Sequence, residues 1–351
     1  MKILFAGKFE PAYNRTKVIL DGLNLFKDVE VLFYNFYDKS KFNFKKLAIA
    51  CKEADVVYMP SFTHLDLPFI KISSKTPIIF DPLISRYLTK VFDYKTVGRY
   101  SPRALKNFLK DKISMSMSDV VLCDTHAHKN YYQSVIGIPG NKLKILPVGV
   151  NTSESFPHSF LNTTGKFVVG FYGSFVPLQG TKIIIEVARL LKDHPVHFEI
   201  IGDGFQYKEV KNLALNSYKL TNINFTGRLK YEEMLERINS FDISLGIFGE
   251  TPKADLVIPN KIYHYASLQK AIITKDTTAI KEIFENNRDI ILCDKPQDIA
   301  EKILLLKDNS SFKEFIAKNC YEKITKEYNH KEIAGKLLTI AEELLAQKKN
   351  N

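Results

Sequence analysis

Apolar and polar positions alternate along this chain with two periods in turn. Short runs rich in β-branched and aromatic residues come first: "KILFAG", "VEVLFYNF", "ADVVYMP", "PIIFDP", "DVVLCDT" and "KLKILPVG". Between them lie stretches of helical period, such as "NRTKVILDGLNLF" and "SPRALKNFLKDKISMSM". A polar segment, "NTSESFPHSFLNTTGK", interrupts the pattern at residues 151–166. The alternation then restarts with "FVVGFYGSF", "HFEIIGDG", "NINFTGR", "FDISLGIF", "KAIITKD" and "DIILCD". Strand and helix in alternation predict parallel sheets covered on both faces. Two such sets joined by a polar segment predict two doubly wound α/β domains, residues 1–158 and 159–328. The last stretch, "HKEIAGKLLTIAEELLAQKK", carries one broad apolar stripe and predicts an amphipathic helix over 329–351 that covers a core.

Composition keeps the chain in the globular class, with 45% hydrophobic and 25% charged residues. No apolar run approaches the roughly 18 residues of a spanning helix, and the apolar start "MKILFAGKFEP" is short for a secretory signal. The expected location is cytoplasmic. Four cysteines lie far apart and read as buried thiols rather than a metal site or a disulfide framework. The net charge of +11 is uneven: residues 1–160 hold 23 basic against 14 acidic side chains. Aromatics are interleaved with that excess, at Phe42, Phe44, Tyr87, Phe92, Tyr94 and Tyr100. Such a surface suits an anionic membrane face or an anionic acceptor. No nucleic-acid motif accompanies it, so nucleic acid is not the expected partner.

In open parallel sheets, ligands bind beyond the carboxyl ends of the strands, so the loops there carry the candidate chemistry. After the first strand, Gly7 and Arg15 lead into a helix. After "VVGFYG" come Ser174, Phe175, Gln179 and Gly180, with Gly173 and Gly180 letting the backbone approach a ligand and helix-start N–H groups able to hold a phosphate. This is neither a Walker loop nor the dinucleotide fingerprint. Gly202, Asp203 and Gly204 form a small turn in which Asp203 reads first as a helix cap. Gly227 and Arg228 close the next strand. The long loop after "DISLGIF" carries Glu250, Thr251 and Lys253 and ends at Pro259 and Asn260. Lys261 then stands on the first turn of a helix, where the dipole favours anions. A cation there fits a site meant for something negative. His126 and His128 would diverge by roughly 200 degrees on a helix, which argues against a shared metal; no metal site is predicted.

The order "GFYGSFVPLQG", "FEIIGDG", "INFTGRL", "FDISLGIFGETPKADLVIPNKIYHYASLQKAIITKD" and "AIKEIF" resembles the donor domain of retaining, nucleotide-sugar-dependent glycosyltransferases of the GT-B fold, family four. In the first half, "FDPLISRYLTKVFD", "SDVVLCDTHAH" and "KLKILPVGV" fall in that family's order too, so the resemblance covers almost the whole chain. It implies two Rossmann-like domains facing across a cleft, with an acceptor in the first and a nucleoside diphosphate sugar (UDP or GDP) in the second. It implies retention of anomeric configuration without a metal or other cofactor. A D-x-D pair beside a strand end is missing from the sequence, in keeping with that. The basic residues and aromatics of the first domain fit a glycan or lipid-linked acceptor at the inner membrane face, so the expected role is surface glycan or glycolipid assembly. The sequence departs from the family pattern in places. The family's two glutamates separated by seven residues fall here at Leu256 and His264. Its diphosphate-gripping Arg and Lys fall near Ser174 and Gln179. Lys261, with Lys253, then takes the diphosphate charge, and His264 a ribose or sugar hydroxyl. Where the family often has a histidine after the fourth strand, this chain has Asp81; Asp81 and His64 become candidates to orient a reacting hydroxyl.

Two other readings stay open on the sequence. A non-catalytic sugar-nucleotide or glycan-binding subunit would explain the missing glutamate pair. A sugar-nucleotide epimerase would use Glu250 and His264 as acid–base groups. Sugar, base, acceptor and oligomeric state are not legible from the chain.

Overall fold

The computed structural model describes residues 1–38, 42–158 and 165–349. Residues 159–164 of the expected linker, and Lys39 and Lys41 of the basic N-terminal stretch, lie outside the described residues. The chain divides into two compact units, residues 1–151 with 328–351, and residues 152–327.

In the first unit six parallel strands run β1 Lys2–Gly7, β2 Glu30–Asn35, β3 Val56–Met59, β4 Ile78–Phe80, β5 Val120–Cys123 and β6 Leu143–Ile145. Their spatial order is β2-β1-β3-β4-β5-β6. The crossovers hold helices α1 Asn14–Leu23, α2 Phe44–Glu53, α3 Leu67–Ser73, α4 Pro102–Met117 and α5 His126–Tyr131. Local chemistry fixes their starts. Asn43, Ser101 and Thr125 cap α2, α4 and α5 through side-chain oxygens that accept from Lys46, Ala104 and His128 N–H groups. Strands β3, β4 and β5 are buried at every position, as strands covered on both faces must be. One face packs a core of Phe5, Val18, Ile19 and Tyr58, and the other a core of Leu4, Leu47, Val57 and Met115.

The second unit repeats the plan with β7 Phe167–Gly173, β8 Val196–Gly202, β9 Ile223–Gly227, β10 Ile243–Leu245, β11 Ala271–Thr274 and β12 Ile291–Leu292. The order β12-β11-β10-β7-β8-β9 is the doubly wound dinucleotide-fold order, with its switch point between β7 and β10. Its helices are α6 Thr181–Leu190, α7 Tyr207–Asn212, α8 Tyr231–Asn239, α9 Asn260–Ser267, α10 Pro296–Asp308 and α11 Ser310–Glu327. Each unit is thus Rossmann-like, one of the two doubly wound domains that the alternation of periods predicted.

The last helix, α12 His330–Lys349, belongs to the first unit, and the division falls between Asn151 and Thr152 rather than between 158 and 159. Its stripe of Ile333, Leu337, Ile340 and Ala341 completes the core around Phe5 and Ile19. Gly22 on α1 makes that docking possible. A Cβ there would collide with the His330 carbonyl oxygen and reach 2.7 Å from the Ala334 Cβ. We predict that Gly22→Ala destabilises the first unit by about 1–3 kcal/mol, since backbone cannot give way as a side chain can. Urea midpoints with protease access to α12 test this; an unshifted midpoint would mean that α12 is not held at Gly22.

Candidate functional site

The carboxyl ends of β7 and β10 are joined by backbone. Phe248 N–H donates to the Gln179 carbonyl at 3.1 Å, and Gly249 N–H to the Leu178 carbonyl at 3.0 Å. The loop after β7 turns at Phe175, whose φ is +49° and whose ring is wholly buried against Phe171 and Tyr207. Phe175 is therefore an anchor of the loop. Gly202 and Gly204 let the next turn lie on this loop: a Cβ on either would collide with the Gly173 or Ser174 carbonyl oxygen. Both also have φ in the left-handed half, at +122° and +147°. Asp203 does not cap α7, which begins at Tyr207; its carboxylate accepts from the Gly204 N–H at 2.7 Å. Ser174, Asp203 and Arg228 are exposed, and Gly227 (φ +79°) has open space at its Cβ position.

Inside this end of the sheet, polar atoms are buried without a hydrogen-bond partner: Gln179 Oε1, Thr181 Oγ1, Thr251 Oγ1 and Lys261 Nζ. Gln179 lies across Gly173, where a Cβ would come within 2.5 Å of its Oε1. Lys261 is on the first turn of α9, after Pro259 as N-cap and Asn260, as the sequence predicts. Its amino group lies over aromatic faces, 3.6 Å from the Phe171 ring centre and 5.7 Å from that of Tyr172. Burial pushes its pKa well below the ordinary lysine value. Lys253 is buried in the same long loop.

His264, one turn further along α9, is engaged by tyrosines. The Tyr172 hydroxyl, whose pKa burial raises, shares a hydrogen bond with His264 Nδ1 at 2.6 Å. The other ring nitrogen, Nε2, lies 3.4 Å from the Tyr231 hydroxyl. Burial holds the His264 pKa down to about 4. Tyr172, Tyr231 and Thr181 were not singled out from the sequence; pairing across 92 residues leaves no local signal.

In the first unit, Asp81 follows β4 and is committed to the protein. Its Oδ2 accepts from Arg15 Nε and from the Tyr58 hydroxyl, both at 2.7 Å. The same guanidinium donates to the Leu146 carbonyl at 2.9 Å and to the Pro147 carbonyl. Arg15 and Asp81 are each 1% exposed. His64 is buried with its ring edge-on to Phe80 at 5.0 Å, and Nε2 is 3.6 Å from Asp111 Oδ1. Burial pushes His64 down to about 3 and Asp111 up to about 6. Asp111 holds the loop after β4 by accepting from the Ser85 hydroxyl and the Tyr87 N–H. No cluster of side chains able to hold a metal occurs among the described residues.

With this geometry in view, residues 166–309 match the family described as Glycosyl transferases group 1. The matched residues lie wholly within the second unit. Among curated proteins, the chain is 25% identical over 229 residues to MJ1178, an uncharacterized glycosyltransferase of Methanocaldococcus jannaschii, covering 61% of this chain and 58% of that one. It is 25% identical over 159 residues to WcaI of Escherichia coli, a putative colanic acid biosynthesis glycosyl transferase, covering 43% and 39%. The chain thus spans less than two thirds of these relatives. HepE of Anabaena, solved with UDP-glucose, superposes with a TM-score of 0.73 at 15% identity over 98% of this chain and 100% of that one. Sucrose-phosphate synthase of Thermosynechococcus elongatus gives 0.74 at 11% identity over 99% of each chain. These likenesses show the GT-B fold.

Two predictions follow from the geometry. Asp81→Asn leaves Arg15 buried without its counter-charge and should cost about 3–5 kcal/mol in urea unfolding. A variant as stable as the parent would release Asp81 from this structural duty. For the histidines, the folded pKa is depressed, so the unfolded chain takes up protons first. Stability is therefore full above the ordinary histidine value and falls as pH drops from about 6.5 towards 4, by up to about 1.4 kcal/mol per pH unit for each ring. His264→Gln should flatten that slope against the parent; parallel curves would mean that His264 charges in the folded state.

Proposed function

We propose that this protein transfers a sugar from a nucleoside diphosphate sugar to an acceptor hydroxyl, with retention and without a metal cofactor. Lys261 carries the reading: a buried amine on the first turn of a helix, unpartnered by hydrogen bonds, among three other buried polar atoms that also lack partners. An unpaired buried amine is costly, and an incoming diphosphate would supply the missing partner. UDP and UDP-glucose in HepE point to UDP as the first nucleotide to try, with GDP next. The reaction breaks the bond between the anomeric carbon and the diphosphate oxygen. The electron pair leaves with the phosphate, and the acceptor oxygen bonds to the anomeric carbon. In this reading Lys261 and the backbone N–H groups after Gly173 stabilise that leaving charge, each such donor being worth on the order of 3 kcal/mol. Retention follows the family resemblance, through attack on the face the phosphate leaves, with that phosphate taking the hydroxyl proton. The first unit is the acceptor side, for a glycan or lipid-linked acceptor in surface glycan or glycolipid assembly, on a cytoplasmic protein peripheral to the membrane. No described helix is long and apolar enough to cross one.

The test is a thermal-shift titration with UDP and GDP, with and without EDTA. Saturation at a hundredfold excess over Kd stabilises by about 2.7 kcal/mol. Lys261→Met should leave the unliganded protein equally or more stable, because an apolar group of similar length replaces an unpaired amine. It should weaken UDP binding by about 10- to 100-fold, the worth of a charge-assisted hydrogen bond. The pH dependence has a definite sign. With the folded pKa of Lys261 depressed, the unliganded protein gains stability as pH rises towards the ordinary lysine value, while UDP affinity falls over the same rise. Unchanged UDP affinity in Lys261→Met would remove Lys261 from the site, and no shift with either nucleotide would favour a non-catalytic binding subunit.

A further inference from the structure

The first unit carries an apolar groove outside the site just described. It lies between the segment leading into α3 and the outer face of α4, with a volume of about 380 Å³, and is lined by Leu65, Pro68, Leu105, Leu109 and Ile113. Leu105, Leu109 and Ile113 recur every fourth residue and form one stripe along α4. They are 58%, 43% and 50% exposed, and Ile72 on α3 is 73% exposed. A contiguous exposed apolar face of this kind marks something that covers it.

The charge around the groove says what. From Arg86 to Lys112 the chain holds eight Lys and Arg residues and only two acids, Asp93 and Asp111. Both acids are buried, at 1% and 0% exposure. Every solvent-facing formal charge of this segment is therefore positive. Lys106 and Lys110 lie on the rim itself. Tyr100, 92% exposed, adds an amphipathic ring at the start of α4. Aliphatic side chains rimmed by two lysines, in a segment whose other solvent-facing charges are also positive, match an anionic bilayer surface: hydrocarbon takes the stripe and lipid phosphates take the cations.

We propose that the α3–α4 face docks on a membrane surface containing anionic lipid, Leu105, Leu109 and Ile113 entering the headgroup region between Lys106 and Lys110. This deepens and rests on the reading that the acceptor is lipid-linked. His64 lines the groove, and its ring packs on Phe80, the neighbour of Asp81. The docking face thus adjoins the end of β4, beside which a lipid-borne acceptor would arrive.

The experiment is vesicle flotation of the full chain on phosphatidylcholine vesicles with and without phosphatidylglycerol, at about 0.1 M and about 0.5 M salt. The parent should float with phosphatidylglycerol vesicles at low salt, and less so at high salt. Leu109→Glu with Ile113→Glu should abolish flotation, and Lys106→Glu with Lys110→Glu should weaken it by about tenfold or more. Lys106, Leu109 and Ile113 are exposed and Lys110 is half-buried on the groove rim, so folding survives. The UDP-induced thermal shift, read in parallel, should be unchanged in both variants, which separates this inference from the donor reading. Absence of flotation by the parent overturns the proposal, as does flotation unaltered by the glutamates. A parent that is dimeric by light scattering, and that the glutamates render monomeric, would assign the groove to a second copy and overturn it too.

Discussion

Parallel pairing is the constraint from which the rest of the molecule grows. Each strand of both sheets runs parallel to its neighbours, so none can be closed by a two-residue hairpin. The chain must cross over a face and return, and every loop that follows a strand collects at one end of its sheet. In the second unit the crossovers diverge at the junction of β7 and β10, and in the loops and helix starts beyond it Gln179, Thr181, Thr251 and Lys261 each bury a polar atom without a hydrogen-bond partner. The loops there could not be looser. Phe248 and Gly249 hydrogen-bond the carbonyls of Gln179 and Leu178, and the Gly202 and Gly204 turn lies against Gly173 and Ser174. Rigid backbone holds the unsatisfied groups in place, as a preorganised site requires.

The equivalent end of the first unit is built the other way. Asp81, Arg15 and Tyr58 satisfy one another, and Arg15 ties the end of β4 to the carbonyls after β6. Asp66 accepts from the Lys8 N–H, joining the ends of β1 and β3 across their own switch point. These charges stabilise the fold, whereas the Lys261 amino group on the first turn of α9 lies over the Phe171 and Tyr172 rings without a hydrogen-bond partner. The two units share an architecture and differ in the pairing of these particular charges.

Fold and site were legible to different depths for physical reasons. The central strands were readable because burial on both faces leaves continuous β-branched runs, and the helix carrying Lys261 was readable because Pro259 marks its start. The destination of the last helix was not, since an apolar stripe states that a face is covered and not which one. Gly22 held the missing signal: a small residue inside α1 facing the equally small Ala334. Asp81 and His64 read as reactive because their types are. Their engagement with Arg15, Tyr58 and Asp111 depends on partners far away in sequence. His264 likewise reads as free until Tyr172 and Tyr231 are brought to it.

The energetics of Lys261 explain why its position is informative when its residue type is not. Removing an ammonium from water costs several kcal/mol even after the protein relaxes. Contact with the Phe171 face returns about 0.5–2 kcal/mol. The difference is a standing deficit in the unliganded protein, and a lowered pKa is its thermodynamic signature. A neutral sugar offers an amine no counter-charge and cannot make up the deficit. On the proposed reading a diphosphate would, and by favouring the protonated amine it would couple donor binding to proton uptake. Burial keeps the nearby His264 ring neutral, and contacts with Tyr172 and Tyr231 fix its place.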